Sequence, residues 1–467
     1  MAQNFLTCDR DQELLLPPSL KDWLPGDHLA WFVLDAVDEL DLSDFYADYR
    51  EDGWGAAAHD PIMMVALFIY AYSIGVRSSR QIERRCQEDV AFRVICAGQT
   101  PDHSTIARFL DRHEQAVAEL FGGVLELCAR SGLVKVGVVS VDGTKIQASA
   151  SHHQNRSYQQ IAEEIVKEAA EIDAAEDELY GEARGDELPE GFRTSTERRA
   201  RFREAKQALE EERKAKAKPV PRDRQKRLSE CKKRLEEELE LERRVAKEHE
   251  EWRKRGVAKD GSRRMTGHNM KPRPLPIEPT GKINTTDPDS RNLKTTRGWV
   301  QGYNAQAVVT CDQVIIAADI STESLDTANL EPMVEAACEA LEAAGVSDTP
   351  GVVLADAGYW KNDAIEAIVN NGIQTLIAPD ADSRKEPRPG RRGGLYDFVR
   401  RILQTDWGKE LYLRRQGSVE SVFGQIKANR GVRRFQRRGR LAVLAEWRLL
   451  TATHNLKKLH QHRLATA

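Results

Sequence analysis

Three acids in this 467-residue chain stand where burial without a partner would be costly. Asp142 follows the apolar run VKVGVVSV and precedes Gly143, while Asp356 follows GVVLA and precedes Ala357 and Gly358. Glu420 lies within YLRRQGSVESVFGQIKANRGVRRFQRRGR, residues 412–440, as the only acid among nine lysines and arginines (414, 415, 427, 430, 433, 434, 437, 438 and 440). An ionised carboxylate at the end of an apolar strand is expensive unless something cationic meets it. Singly, each has a plain account: an Asp-Gly turn at 142, a structural glutamate–arginine pair at 420. Jointly they suggest chemistry. If adjacent strands bring Asp142 and Asp356 together and a flanking helix adds Glu420, the converging carboxylates repel one another unless oxygen-ligated divalent ions are bound. Two such ions activate an attacking oxygen and stabilise a leaving one at phosphorus. The cations around Glu420, among them Arg430, Arg433 and Arg434, would then hold a phosphodiester backbone.

The elements that must position these acids are legible in the periodicities. Val419, Val422, Phe423 and Ile426 fall at i, i+3, i+4 and i+7, the apolar stripe of a helix. Glu420 sits beside that stripe, Lys427 lies two turns further along the same side, and Gly424 leaves the neighbouring surface bare. The stretch from Val134 reads as a buried strand that carries Asp142 into a turn at Gly143. Beyond the turn residues DPDSR, GYNAQAVVTCDQVIIAADIS predicts two strands about Cys311-Asp312. The helix NLEPMVEAACEALEAAG, the strand GVVLADAG, the helix NDAIEAIVNNG and the strand TLIAPD then alternate. Residues 381–400, rich in Arg, Pro and Gly, predict a basic loop, and LAVLAEWRLLTATHNLKKLH predicts an amphipathic helix packed on the core.

Residues 1 to about 130 read as helical. Asp27 is placed to cap HLAWFVLDAVDEL, and Asp60-Pro61 opens PIMMVALFIYAYSIG with Gly75 at its end. Ser78 or Ser79 begins SSRQIERRCQEDVAFRVICAG, Gly98 ends it, and DHSTIARFLDRH follows. That last pair has the outline of a helix-turn-helix, in which Arg80, Arg84, Arg85, Arg108 and Arg112 would contact phosphates. A helical bundle with a solvated basic face is the plainer account of the same outline. From Ser149 to about Leu275, Glu, Lys, Arg and Ala dominate, with sparse apolar positions such as Leu228, Cys231, Leu235, Leu241, Val245 and Trp252. This pattern predicts an insertion of long solvated helices laced with charge pairs.

Composition sets the outer bounds. The length allows a large core and two or three domains. The net charge of −4 gives no global sign of a nucleic-acid partner, so the sign asymmetry between segments carries that signal. Seven scattered cysteines with no CxxC pair predict reduced thiols in a cytosolic protein. No signal peptide is read, and the apolar run from Ile62 to Tyr72, 11 residues, is too short to cross a bilayer.

In this order the motifs resemble a known set. SVDGTKI around Asp142, TDPDSRNLK and QGYNAQAVV, LADAGYW around Asp356, and Tyr412, Arg415, Glu420 and Lys427 are similar to the motifs of DDE transposases of bacterial insertion sequences. The last four resemble that family's tyrosine-arginine-glutamate-lysine signature. The E-x6-K spacing is kept, but Arg415 lies five residues before Glu420 where the signature has four, and Gln416 takes that slot. The resemblance runs from about Asp27 to Leu459.

It implies an α/β fold: an RNase H-like mixed-sheet catalytic core with an all-α N-terminal domain and a long charged helical insertion. The corresponding segments are a helical domain over 1–130, the first core strand in 131–150, the insertion over 151–280, and the rest of the core with a C-terminal helix over 281–467. It implies that Asp142, Asp356 and Glu420 are catalytic and ligate Mg²⁺ or Mn²⁺, two ions in all, with Asp142 shared between them. Tyr412, Arg415 and Lys427, with Arg430, Arg433, Arg434 and Arg108, would contact DNA. Terminal inverted repeats would be read by the N-terminal domain, water would cleave at the element's ends, and the freed 3′-hydroxyl would attack target DNA. A cytoplasmic homodimer in a synaptic complex, with no membrane partner, completes the expectation. Two rivals share the motifs: an RNase H-like nuclease or resolvase without strand transfer, and a domesticated transposase-derived DNA-binding protein that no longer cuts. A coiled-coil scaffold would explain residues 150–260 alone.

Overall fold

The computed structural model describes residues 19–47, 49, 58–165, 220–255, 279, 281–295, 298–323, 325–380 and 393–466. Cys8 and the insertion between residues 166 and 219 lie outside these, as do residues 256–278. The chain forms two compact units, Met1–Val134 with Leu449–Ala467, and Lys135–Arg448. Among the described residues no helix is long and apolar enough to cross a membrane.

The first unit is helical: α1 (Leu29–Asp38), α2 (Ser43–Tyr46), α3 (Pro61–Ser73), α4 (Ser79–Glu88), α5 (Val90–Ile95), α6 (His103–Arg112) and α7 (Glu114–Arg130). Helix α3 is buried almost all round, from Met64 through Ser73, because its sequence is apolar on every face. Pro61 occupies its first turn and the Asp60 carboxylate accepts the Ile62 N–H at 2.9 Å, as the sequence predicts. Elsewhere the capping differs. His28, not Asp27, caps α1: its Nδ1 accepts the Ala30 N–H at 3.1 Å. The single helix expected from Ser79 to Gly98 is two, because Asp89 leaves the helical region (φ −110°, ψ 126°) and its carboxylate accepts the Ala91 N–H at 3.0 Å. A side-chain acceptor at that point satisfies the first turn of α5 better than continued α4 would. The basic residues of this region largely serve their own helices. Arg84 and Arg85 pair with Glu88 and Asp89, Arg108 reaches the Ser104 carbonyl at 3.3 Å, and Arg112 lies 4.6 Å over the Tyr49 ring.

The second unit is α/β, built on a mixed sheet of six strands. They are β1 (Val138–Gln147), β4 (Arg291–Thr295), β5 (Gly298–Thr310), β6 (Ile315–Ser321), β7 (Val352–Ala355) and β8 (Gln374–Ile377). The order is β4-β5-β1-β7-β8, with β6 also pairing β5. Strand β1 is central. It is antiparallel to β5 and parallel to β7, which is parallel to β8. The helices Leu330–Ala343 and Asn362–Asn370 make the connections a parallel arrangement requires. A two-stranded sheet pairs β2 (Asn155–Ser157) with β3 (Lys282–Asn284).

Several expectations need correcting. No turn follows Asp142: β1 continues to Gln147, with Asp142 opposite Ala307 and Gly143 opposite Gln306. Gly143 serves close packing instead, since a Cβ there would lie 2.2 Å from Gln306 Nε2. The polar strand β4 carries no alternation by which to read it. Residues 394–400 are helical, within Gly394–Gln404, rather than loop. The helix Arg224–Arg255 is less solvated than its composition suggests. Its Leu228, Cys231 and Leu235 cluster with Ile161 and Ile283, and Arg234 pairs with Asp289 of the DPDSR loop.

Candidate active site

The parallel register of the central strands sets the first two acids. Val138 lies opposite Val352 and Ser140 opposite Leu354, so the same register two residues on sets Asp142 beside Asp356. Asp356 ends its strand, and its carboxylate accepts the Gly358 N–H at 2.8 Å, opening the short turn Ala357–Tyr359. The Asp142 carboxylate accepts the Gly143 N–H at 2.8 Å.

The third acid comes from residues 406–429, which we term the site helix. It is α-helical over Asp406–Arg415, π-helical over Gln416–Glu420, α-helical over Ser421–Gly424 and π-helical again over Gln425–Asn429. Val419, Val422, Phe423 and Ile426 are buried, as their spacing predicts. Ser418 Oγ lies 2.8 Å from the Oγ of Ser140, which shares a face of β1 with Asp142. Gln313, in the β5–β6 turn, donates to the Gly417 carbonyl at 2.8 Å and accepts from Gln425 Nε2 at 3.1 Å. One side chain thereby ties down both π-helical segments.

The first π turn accounts for the odd spacing of Arg415 and Glu420. In a regular α-helix, residues five apart lie about 140° round the axis from one another. A π turn, closed from i to i+5, returns them to one face. Arg415 Nη2 meets Glu420 Oε1 at 2.8 Å, and Nη1 meets Asp142 Oδ2 at 3.0 Å. The guanidinium spans two of the three acids. It lies over the Tyr412 ring, 5.7 Å from the centroid, and its Nε has no partner among the described residues.

Lys427 is half-buried, and its Nζ donates to the Lys145 carbonyl at 3.1 Å. Burial pulls its amine below the usual lysine range, while the charge of Asp142 opposes that. Arg430 is buried. Arg433 and Arg434 are exposed, and their backbone runs beside the end of β1, where the Gln147 N–H donates to the Arg433 carbonyl at 3.3 Å. Arg108 belongs to the first unit.

Burial pushes the Asp142 carboxyl up to about 7. Arg415 pulls it down and the Asp356 charge pushes it further up. Burial likewise raises Asp356. A buried carboxyl that retains its proton near neutrality despite an arginine beside it lies in a field short of positive charge. An all-oxygen donor set in such a field fits a hard divalent cation. Among the described residues, no three His, Cys, Asp or Glu side chains stand together as a metal ion's ligands would. Arg415 is the physical reason for two of them, since its guanidinium occupies the space between Asp142 and Glu420.

The sequence reading passed over several neighbours. Asp326 accepts from Asn304 Nδ2 at 2.7 Å and from Gln306 Nε2 at 2.9 Å, and Gln306 Oε1 accepts the Tyr359 hydroxyl. In the sequence Asp326 looks like an ordinary acid before a helix. The signal available was its place just after the strand ending at Ser321.

Two family models match the chain: a transposase domain over residues 18–112 and a transposase DDE domain over residues 395–460. Over these two segments the chain is similar to DDE transposases of insertion-sequence type. No curated protein and no solved structure matches it. Both matches support a transposase function in general terms. The second match contains Tyr412, Arg415, Glu420 and Lys427, while Asp142 and Asp356 lie outside both.

Proposed function

We propose that this DDE transposase relative cleaves DNA at insertion-sequence ends and joins them to target DNA, on an RNase H-like core whose acids are Asp142, Asp356 and Glu420. The observation that carries the reading is the Arg415 bridge. It couples an acid on the central strand to one on the site helix, 273 residues from Asp142 to Arg415, with Asp356 just past the end of the strand parallel to β1. The sheet, with antiparallel strands to one side of β1 and parallel ones to the other, supports the core assignment.

Asp142, Asp356 and Glu420 would hold two Mg²⁺ or Mn²⁺ ions. When bound, such ions act as Lewis acids on the scissile phosphate and offset the charge that develops there. Arg415 serves the cation-free state by neutralising Asp142 and Glu420. Once they are neutralised otherwise, its planar fork is free to take a phosphate bidentately, and Tyr412 beneath it fixes the swing. Lys427 supplies a point charge from the base of the site, with Arg433 and Arg434 on the adjacent surface for the backbone. Arg430 belongs to the same basic segment, with its side chain buried in the cation-free structure. End recognition falls to the helical first unit, including Arg108, and two copies pair the ends in a synaptic complex.

The test uses a linear DNA carrying paired inverted repeats and a circular target, in Mg²⁺. Covalent joining of the cleaved 3′ ends to the circle is expected. Cleavage that never yields joined product would assign the core to a nuclease, and binding without cleavage would assign it to a DNA-binding relative.

A further inference from the structure

We propose that Asp326 is a fourth carboxylate of the cation site, drawn together with Asp142 and Asp356 when a divalent ion enters, since the three do not yet stand at ligand spacing in the cation-free structure. The proposal rests on the three-acid reading above and adds a residue that the DDE pattern does not contain.

The placement of Asp326 is built by three elements. Asn304 and Gln306, both fully buried on β5, aim their amide hydrogens at Asp326 Oδ1, at 2.7 and 2.9 Å. Charge-assisted bonds of this kind are stronger than neutral ones and fix an acid in place. Gln306 is itself fixed, its side-chain oxygen by the Tyr359 hydroxyl and its backbone carbonyl by Trp447 Nε1 at 3.0 Å. Gly143, next to Asp142, clears the approach: a Cβ there would lie 2.8 Å from Asp326 Oδ1. Gly358, two residues after Asp356, clears the other side. A Cβ there would lie 2.9 Å from Asp356 Oδ1 and 3.6 Å from Asp326 Oδ2. Two glycines flanking two of the acids thus open onto the third.

A helix-capping role would be the ordinary explanation, and the contacts do not support it. The N-cap of the following helix is Asn329, and the Asp326 carboxylate accepts from side-chain amides on β5 instead. Among the described residues no lysine or arginine forms an ion pair with Asp326 or Asp356; beyond the bonds given, their backbone carbonyls accept the N–H groups of Asn329 and Tyr359. A second feature points to a ligand. Asn304 directs its amide hydrogens to Asp326 and to the Glu323 carbonyl at 3.3 Å, leaving Oδ1 fully buried with no partner. That orphaned oxygen lies 2.8 Å from the position of a Gly143 Cβ, as Asp326 Oδ1 does. A buried acceptor without a donor is costly, and a hard cation nearby is the partner that oxygen donors of this set select.

The experiment measures Mn²⁺ binding to the full chain without DNA, by loss of the free-ion paramagnetic resonance signal. The proteins are wild type, Asp326→Asn, Asp326→Glu and Asp142→Asn, and melting curves in EDTA check that each is folded. Asp326→Asn should weaken Mn²⁺ binding about ten- to a hundredfold, with Asp326→Glu between it and wild type. Wild-type affinity in Asp326→Asn, with binding lost in Asp142→Asn, would overturn the role of Asp326 and leave the three-acid site standing. Wild-type affinity in Asp142→Asn as well would overturn both. If Asp326→Asn does not fold, wild-type affinity in Asp326→Glu overturns the proposal, because a carboxylate displaced by one methylene cannot keep a fixed ligand position.

Discussion

Asp142 holds its carboxyl near 7 because its burial outweighs the arginine it touches. The folded value lies above the unfolded one, so the stability this group contributes is full below the ordinary carboxylate range and is lost as pH rises through about 7. In EDTA the melting temperature should therefore fall between about pH 5 and pH 8, and Asp142→Asn should flatten that fall. A wild-type profile no steeper than that of Asp142→Asn would contradict the assignment. Lys427 poses the opposite question, contact or scaffold. Its half-buried Nζ has one backbone acceptor, a single hydrogen bond worth about 1 kcal/mol. If it meets a phosphate, Lys427→Ala should lower the slope of log K against log salt by roughly one unit, with the melting temperature nearly unchanged. A lowered melting temperature with an unchanged slope would make it a structural residue. Glu420 and Asp356 were legible because apolar periodicity isolates a charge within it. Asp326 was not, since no local pattern distinguishes an acid held by two amides of a distant strand from a solvated one.

At the scale of elements, the site helix is where the sequence was legible in type but not in geometry. The apolar stripe fixes a helix, whereas the five-residue gap between Arg415 and Glu420 reads as a departure until the π turn restores the face. Deleting Gln416 should convert that turn to α-helix, keep Arg415 and Glu420 in contact and preserve cleavage within about tenfold, since a four-residue step spans about one turn. Adding one alanine after Gln416 should rotate Glu420 away by about 100° and abolish cleavage. Equal activity in the two variants would remove the π turn from the account. The insertion helix was misjudged for a different reason. A sparse stripe looks solvated, yet Leu228, Cys231 and Leu235 are buried and Arg234 meets Asp289 across 55 residues. Breaking a largely buried ion pair by removing one partner costs about 3–5 kcal/mol. Arg234→Ala should lower denaturant stability toward that range while the remaining folded protein cleaves normally; a loss under about 1 kcal/mol would return this helix to the solvent. Strand β4 and the break at Asp89 were hidden because polar strands carry no alternation and a cap can interrupt a helix without glycine or proline.

For the whole molecule, the division of labour is between a helical unit matched by one transposase model and an α/β unit that contains most of the residues matched by the other. The charged middle of the chain obscured this in the composition, where a net charge of −4 masks a strongly basic segment around Glu420. Binding and chemistry should therefore separate. The most direct measurement is one assay on one inverted-repeat substrate, reading gel-shift affinity and cleavage together for Asp142→Ala, Asp356→Ala and Glu420→Ala, in Mg²⁺, Mn²⁺ and EDTA. Each variant should bind ends within a few-fold of wild type and lose cleavage by several powers of ten, and wild type should be silent in EDTA, since each acid is assigned to a two-metal site. Cleavage at the wild-type rate by any one variant, or by wild type in EDTA, would contradict the account.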